Sequence, residues 1–251
     1  MARSRPPSPA RPILPTTSPL FAWLAERFAP GEATLWTGPP AALEPMLERL
    51  YAASAAADGR ISLIEGSNRF HPYRISEAGR GVGVDPGEVL ARIRLARAFT
   101  AYQLVALVDG WARELRRARA TLLVGHDLPA LFDNAEELPK EERTPLLTHV
   151  AETLSEVARA SRRPMLLTLP GGVGEFPGLT EAGPRLFDLV RFDLHPTRVD
   201  LSAYRDGARL ALVARAPGQV GLEAFQAPEP KEVIAPWGAP PQRTARRSRS
   251  G

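Results

Sequence analysis

The sequence predicts an α/β protein: a mostly parallel central sheet flanked by helices, finished by an antiparallel C-terminal meander. Three observations carry this. Apolar runs of strand length alternate with stretches of helical periodicity; the strands read as continuous apolar runs, as expected when a parallel sheet is covered on both faces; and past residue 189 the helical stretches give way to closely spaced strands. At 251 residues and 44% hydrophobic content the chain can bury a full core.

In chain order, "ATLWTG" (Ala33 to Gly38) is a short strand, and Leu43, Met46, Leu47, Leu50, Ala53 and Ala57 recur at helical spacing after it. "RISLIEG" (Arg60 to Gly66) is a second strand. "DPGEVLARI" opens a helix with Asp85 as N-cap, Pro86 at the first helical position and Glu88 placed for a capping box. "RLARAF" (Arg94 to Phe99) is a third strand; Tyr102, Val105, Val108, Trp111 and Leu115 then line a helix; "TLLVGH" (Thr121 to His126) is a fourth strand. Thr144 and Pro145 are expected to start the helix that carries Leu146, Leu147, Val150, Leu154 and Val157, ahead of the strand "PMLLTLP" (Pro164 to Pro170). "LVRFDLH", "RVDLSAY" and "ARLALVAR" form the meander, with turns at Pro196 and Asp206-Gly207. Trp23, with Leu20, Phe21 and Leu24, reads as the packed face of an entry helix.

Residues 1–16, rich in Pro, Arg and Ser, and residues 227–251 cannot bury enough apolar surface to order themselves, so one core domain over 17–226 is expected between two disordered tails. The absence of cysteine excludes disulfides and thiolate metal sites, and the four histidines are too scattered to suggest a zinc cluster. No apolar run is long enough for a membrane span, and the N-terminus lacks a signal-peptide pattern; a cytoplasmic protein is expected. A net charge of +4 permits nucleic-acid binding without demanding it, and the tail arginines Arg243, Arg246, Arg247 and Arg249 are candidate phosphate contacts or simply a solvated tail.

The run from Ile61 to Asp109 resembles the RecA superfamily, most closely its RadA-like recombinase branch. There a strand ending in I-D-T-E-x-T precedes F-R-P-E-R-I, a D-P-x-x-V-L helix and V-A-R-A-F; Phe70, Pro72, Arg74, Ile75, Asp85, Pro86, Val89, Leu90, Ala96, Arg97, Ala98 and Phe99 match in order. "TLLVGHDLPALF" resembles the Walker B region, "RRPMLLTLP" the strand ending in V-T-N-Q, and "APGEATLWTGPP" the lead-in to the phosphate loop, so the resemblance covers about residues 17–215. It implies a RecA-like P-loop core.

The same comparison implies lost chemistry. A phosphate loop, G-x-x-x-x-G-K-[ST], wraps phosphates in backbone N–H groups and adds a lysine and a magnesium-binding hydroxyl. Only Gly38 stands in its place; Leu43, Glu44 and Pro45 fall where the second glycine, the lysine and the hydroxyl belong. A carboxylate in place of the lysine turns an attraction of about 4 kcal/mol at ~4 Å into a repulsion of similar size. Ser67 falls at the water-activating glutamate, His126 at the Walker B aspartate with Asp127 one residue late, and Leu169 and Pro170 at the γ-phosphate sensor. A one-residue shift in a strand puts Asp127 on the opposite face from His126, so it is a poor substitute unless the strand bulges. A pseudo-ATPase without a nucleotide or metal cofactor is therefore expected, assisting a recombinase or another DNA-repair or DNA-processing protein. The resemblance implies that Ala96, Ala98, Phe99, Tyr102 and Gln103 form an inter-subunit surface; core strand residues are the other reading. The segment Gly171 to Gly183, at the place of the family's DNA-binding loop, has two glutamates and no Lys or Arg, which weakens filament-style DNA binding. Direct DNA binding through the tails, and a displaced nucleotide site built on Glu65 and Asp127 with magnesium, are the alternatives.

Overall fold

The computed structural model describes residues 23–24, 26–114, 120–133, 138–171, 187–195, 198–204 and 209–213. Both tails, the segment 172–186 and the turns at Pro196 and Asp206-Gly207 lie outside these residues, as do Leu20, Phe21 and the four tail arginines.

Five parallel strands form the backbone of the molecule: β1 (Ala33–Gly38), β2 (Ile61–Glu65), β3 (Ile93–Arg97), β4 (Leu122–His126) and β5 (Met165–Pro170). β6 (Asp188–Leu194) joins β1 in parallel, and β7 (Arg198–Ala203) and β8 (Arg209–Val213) complete the sheet antiparallel. The order is β3-β2-β4-β5-β1-β6-β7-β8, an eight-stranded sheet. β1, β2 and β4 are buried along their whole length, which is why they read as unbroken apolar runs.

The helices divide between the two faces. α1 (Pro40–Ala56), α2 (Pro72–Gly81) and α3 (Pro86–Ala91) cover one face, where Trp36, Leu43, Leu47, Leu50, Leu63 and Phe192 form the core. Trp36 meets Phe28 and Phe192 at tilted angles, with ring centroids 6.0 and 5.1 Å apart. Leu24 is fully buried in this core and Trp23 packs against it, with the Arg27 guanidinium 3.7 Å from the Trp23 ring centre. The second core, on the other face, takes Leu104, Val108 and Trp111 from α4 (Ala101–Glu114), Phe132 from α5 (Ala130–Asp133) and Leu147, Val150, Leu154 and Val157 from α6 (Lys140–Ser161).

Three boundaries differ from the sequence expectation. α2 was not foreseen: among its ten residues only Ile75, Ser76 and Gly79 are buried, too sparse an apolar pattern to show a period. α6 begins at Lys140 after Pro139, so Pro145 sits inside the helix instead of opening it; the exposed, charged first turn carries no apolar stripe to mark it. β3 ends at Arg97, leaving Phe99 beyond the strand. The Asp85 cap forms as expected, its Oδ1 accepting from the N–H groups of Gly87 and Glu88 at 2.8 and 3.3 Å. Among the described residues no helix is long and apolar enough to cross a membrane.

Candidate functional site

The C-terminal ends of parallel strands in an open α/β sheet are where ligands bind. Here the turn from β1 to α1 consists of one residue, Pro39, since α1 starts at Pro40. The positions expected to form a phosphate loop are already helical. Pro39 and Pro40 have no N–H to offer, and those of Ala42 and Leu43 are turned back onto the Pro39 carbonyl at 2.9 and 3.1 Å. A helix start normally attracts anions through its free N–H groups; here two residues have none and the N–H groups of Ala42 and Leu43 are engaged. Leu43 is buried in the core and Pro45 is embedded in α1. Gly38 is fixed for a packing reason: its φ is +149°, and a Cβ there would lie 2.9 Å from the Phe192 Cβ and closer still to the Phe192 carbonyl oxygen.

Glu44 does not face an empty cradle. Its carboxylate lies 3.6 Å from Arg69 and 3.6 Å from Arg74, and Arg74 is also 3.7 Å from Glu48. Burial raises the Glu48 pKa, and Arg74 works against that rise. The first turns of α1 thus carry carboxylates paired with two arginines, one from the β2–α2 connection and one from α2.

Beside this cluster the ends of β2 and β4 bury ionisable groups. Glu65 is fully enclosed: Oε2 accepts from Arg97 Nε at 2.9 Å and Oε1 from the Phe70 N–H at 2.6 Å. Glu65 and His126 are direct neighbours in the β2–β4 register. Burial lowers the His126 pKa to about 4 against the pull of Glu65, so the imidazole is neutral near pH 7. Burial raises the Asp127 pKa to about 6, opposed by Arg69. The expected placement of Asp127 on the opposite face fails, because β4 ends at His126 and Asp127 adopts a left-handed φ of 49°. Strand alternation no longer applies there, and Asp127 shares with His126 the fields of Arg69 and Glu65. Its N–H is shared between the Thr168 carbonyl and hydroxyl oxygens at 3.2 and 3.1 Å. Ser67 follows β2 in a bend, while Leu169 is buried in the second core and Pro170 closes β5. Arg69, Arg74, Arg97 and Thr168 were missed as members of this pole. Arg74 and Arg97 stood in the matched motif, yet only the carboxylates facing them reveal their purpose.

The proposed inter-subunit residues separate into two groups. Ala98 is buried and Ala96 packs against the second core, so these two are strand and core residues. Phe99 and Tyr102 are exposed at 69% and 51%, next to β3, which is the edge strand of the sheet. Gln103 supports them from behind, its Oε1 accepting from the Phe99 N–H at 2.9 Å, and Tyr102 Oη donates to Glu142 of α6 at 2.8 Å. Of the remaining histidines, His71 is exposed and His149 pairs with Asp109 at 3.2 Å.

Residues 47–162, from the middle of α1 to the end of α6, match the family model Rad51, a family of ATPases in DNA recombination and repair. The strand order, the β1–α1 crossing where a phosphate loop would stand and this match support one assignment: over residues 47–162 the chain is similar to the RecA/RadA-like recombinase superfamily.

Proposed function

We propose that this protein is a pseudo-ATPase, a RecA/RadA-like paralogue that acts by binding another protein in DNA recombination, repair or related DNA processing. The observation that carries this reading is the single-residue turn at Pro39. Lysine and glycine restored at positions 44 and 43 would still meet a helix whose first turn lacks N–H groups at Pro39 and Pro40 and has those of Ala42 and Leu43 already engaged. The pole at β2 and β4 supports the same reading: both Glu65 oxygens are engaged by the protein, and the Glu44 carboxylate beside Asp127 faces Arg69 and Arg74. The displaced nucleotide site has correspondingly little to stand on.

The binding surface in this reading is Phe99 and Tyr102 at the free edge of β3, and the partner is an active recombinase of the same superfamily or another DNA-processing protein. Calorimetric titration with ATP and magnesium tests the first half of the proposal. The expected outcome is no saturable heat at millimolar nucleotide; a micromolar Kd that Asp127→Ala abolishes would instead establish a displaced site. For the second half, Phe99→Ala should retain the parent's fold by circular dichroism and lose a co-purifying recombinase.

A further inference from the structure

Glu65 joins two regions that the sequence treats separately. On one side its Oε1 holds the Phe70 N–H, at the end of the connection that carries Arg69 toward Glu44. On the other its Oε2 holds Arg97 Nε, while its own carbonyl accepts from the Ala98 N–H at 3.1 Å. The next residue is Phe99, whose N–H is fixed by Gln103, itself anchored through its N–H to Thr100 Oγ1 at 3.1 Å. The chain of bonds from the former phosphate site to the exposed aromatic pair is therefore continuous. Its centre is a carboxylate whose side chain has no exposure to water.

We infer that Glu65 is a positioning residue: it sets the conformation of the Phe99–Tyr102 surface and couples it to the 66–71 connection beside the former phosphate site. This deepens the partner-binding reading above and rests on it for its biological purpose, though not for the coupling itself. Charge-assisted hydrogen bonds to a desolvated carboxylate are strong, and Glu65, unlike the partly exposed Arg97, has no aqueous substitute for them. Rearrangement on the Arg97 side must then be felt at Phe70, and the coupling is reciprocal. A protein binding at Phe99 would order the 66–71 connection in place of a nucleotide.

Amide hydrogen exchange on the full chain tests this with no partner present. Arg97→Gln, a change on the β3 side, should accelerate exchange of the Phe70 N–H by tenfold or more, and Arg97→Lys should partly restore protection. Glu65→Gln should accelerate exchange at both 66–71 and 98–103. Ile75→Val, a mild core change, supplies the comparison: a purely structural role for Glu65 predicts the same uniform rise in all these variants. Unchanged exchange at Phe70 in Arg97→Gln, or a uniform rise matching Ile75→Val, overturns the coupling. Should Glu65→Gln fail to fold, the Arg97 pair of variants decides alone. Selective acceleration together with no Phe99-dependent partner upholds the coupling and removes the function proposed for the surface.

Discussion

The β1–α1 turn and the ends of β2 and β4 meet at one pole, and in the pseudo-ATPase reading proposed above they differ in kind. At the turn the difference lies in the backbone: two prolines have no N–H, and the early helix start engages those of Ala42 and Leu43. At β2 and β4 the polar side chains persist, buried, and have been re-paired with protein groups. Backbone loss is hard to reverse by side-chain substitution, whereas re-paired carboxylates and imidazoles still titrate and still report on their surroundings.

The largest expected effect breaks the turn. Gly38→Ala forces a Cβ onto Phe192 at a φ that L residues rarely adopt; a loss of roughly 3 kcal/mol or more in urea unfolding is expected.

A second perturbation sharpens the other side. The raised Asp127 pKa means that the native state holds an extra proton between the ordinary 3.8 and about 6, so stability from this group falls as pH rises through that window and the penalty is complete above it. His126 runs the other way. Lowered from 6.5 to about 4, it makes stability fall as pH drops through that range. In the parent the two slopes oppose each other. Asp127→Asn should therefore gain on the order of 2 kcal/mol at pH 7, the gain vanishing near pH 4, and should unmask the acid-side loss due to His126. Asn also tolerates the left-handed φ at this position. Urea midpoints across pH 4 to 7 check both slopes.

The smallest effect belongs to Glu44→Gln. Arg69 and Arg74 are 43% and 55% exposed, so the loss should stay under ~1 kcal/mol and shrink with added salt. A large, salt-independent loss would show that the turn depends on side-chain charge after all.

The buried strands and the Asp85 cap were legible because burial and capping leave local patterns, apolar runs in one case and a spaced Asp-Pro-x-Glu in the other. The replacements at Leu43, Glu44 and Pro45 could be read from the sequence too, but the outcome at the turn could not. Whether "GPPAALEP" stays a loop or joins the helix depends on where α1 docks against Trp36 and Phe192, which is a tertiary matter. The same holds for Asp127, whose direction is set by the end of β4 and by Thr168 from a strand far along the chain. α2 escaped notice because its polar residues serve Glu44 and Glu48 instead of an apolar stripe.

The sheet order carries a consequence for biosynthesis. Among the described strands β1 leaves the ribosome first, yet both its neighbours come late: Ala33 pairs with Met165 and Thr34 with Asp188. Until β5 and β6 emerge, β1 has neither of its strand partners, while β2, β3 and β4 can already assemble. Long-range closure of this kind slows folding and prolongs the exposure of an aggregation-prone strand. The nascent chain therefore has a vulnerable interval that runs from the emergence of β1 to that of β6, when the early strand is enclosed by two later ones.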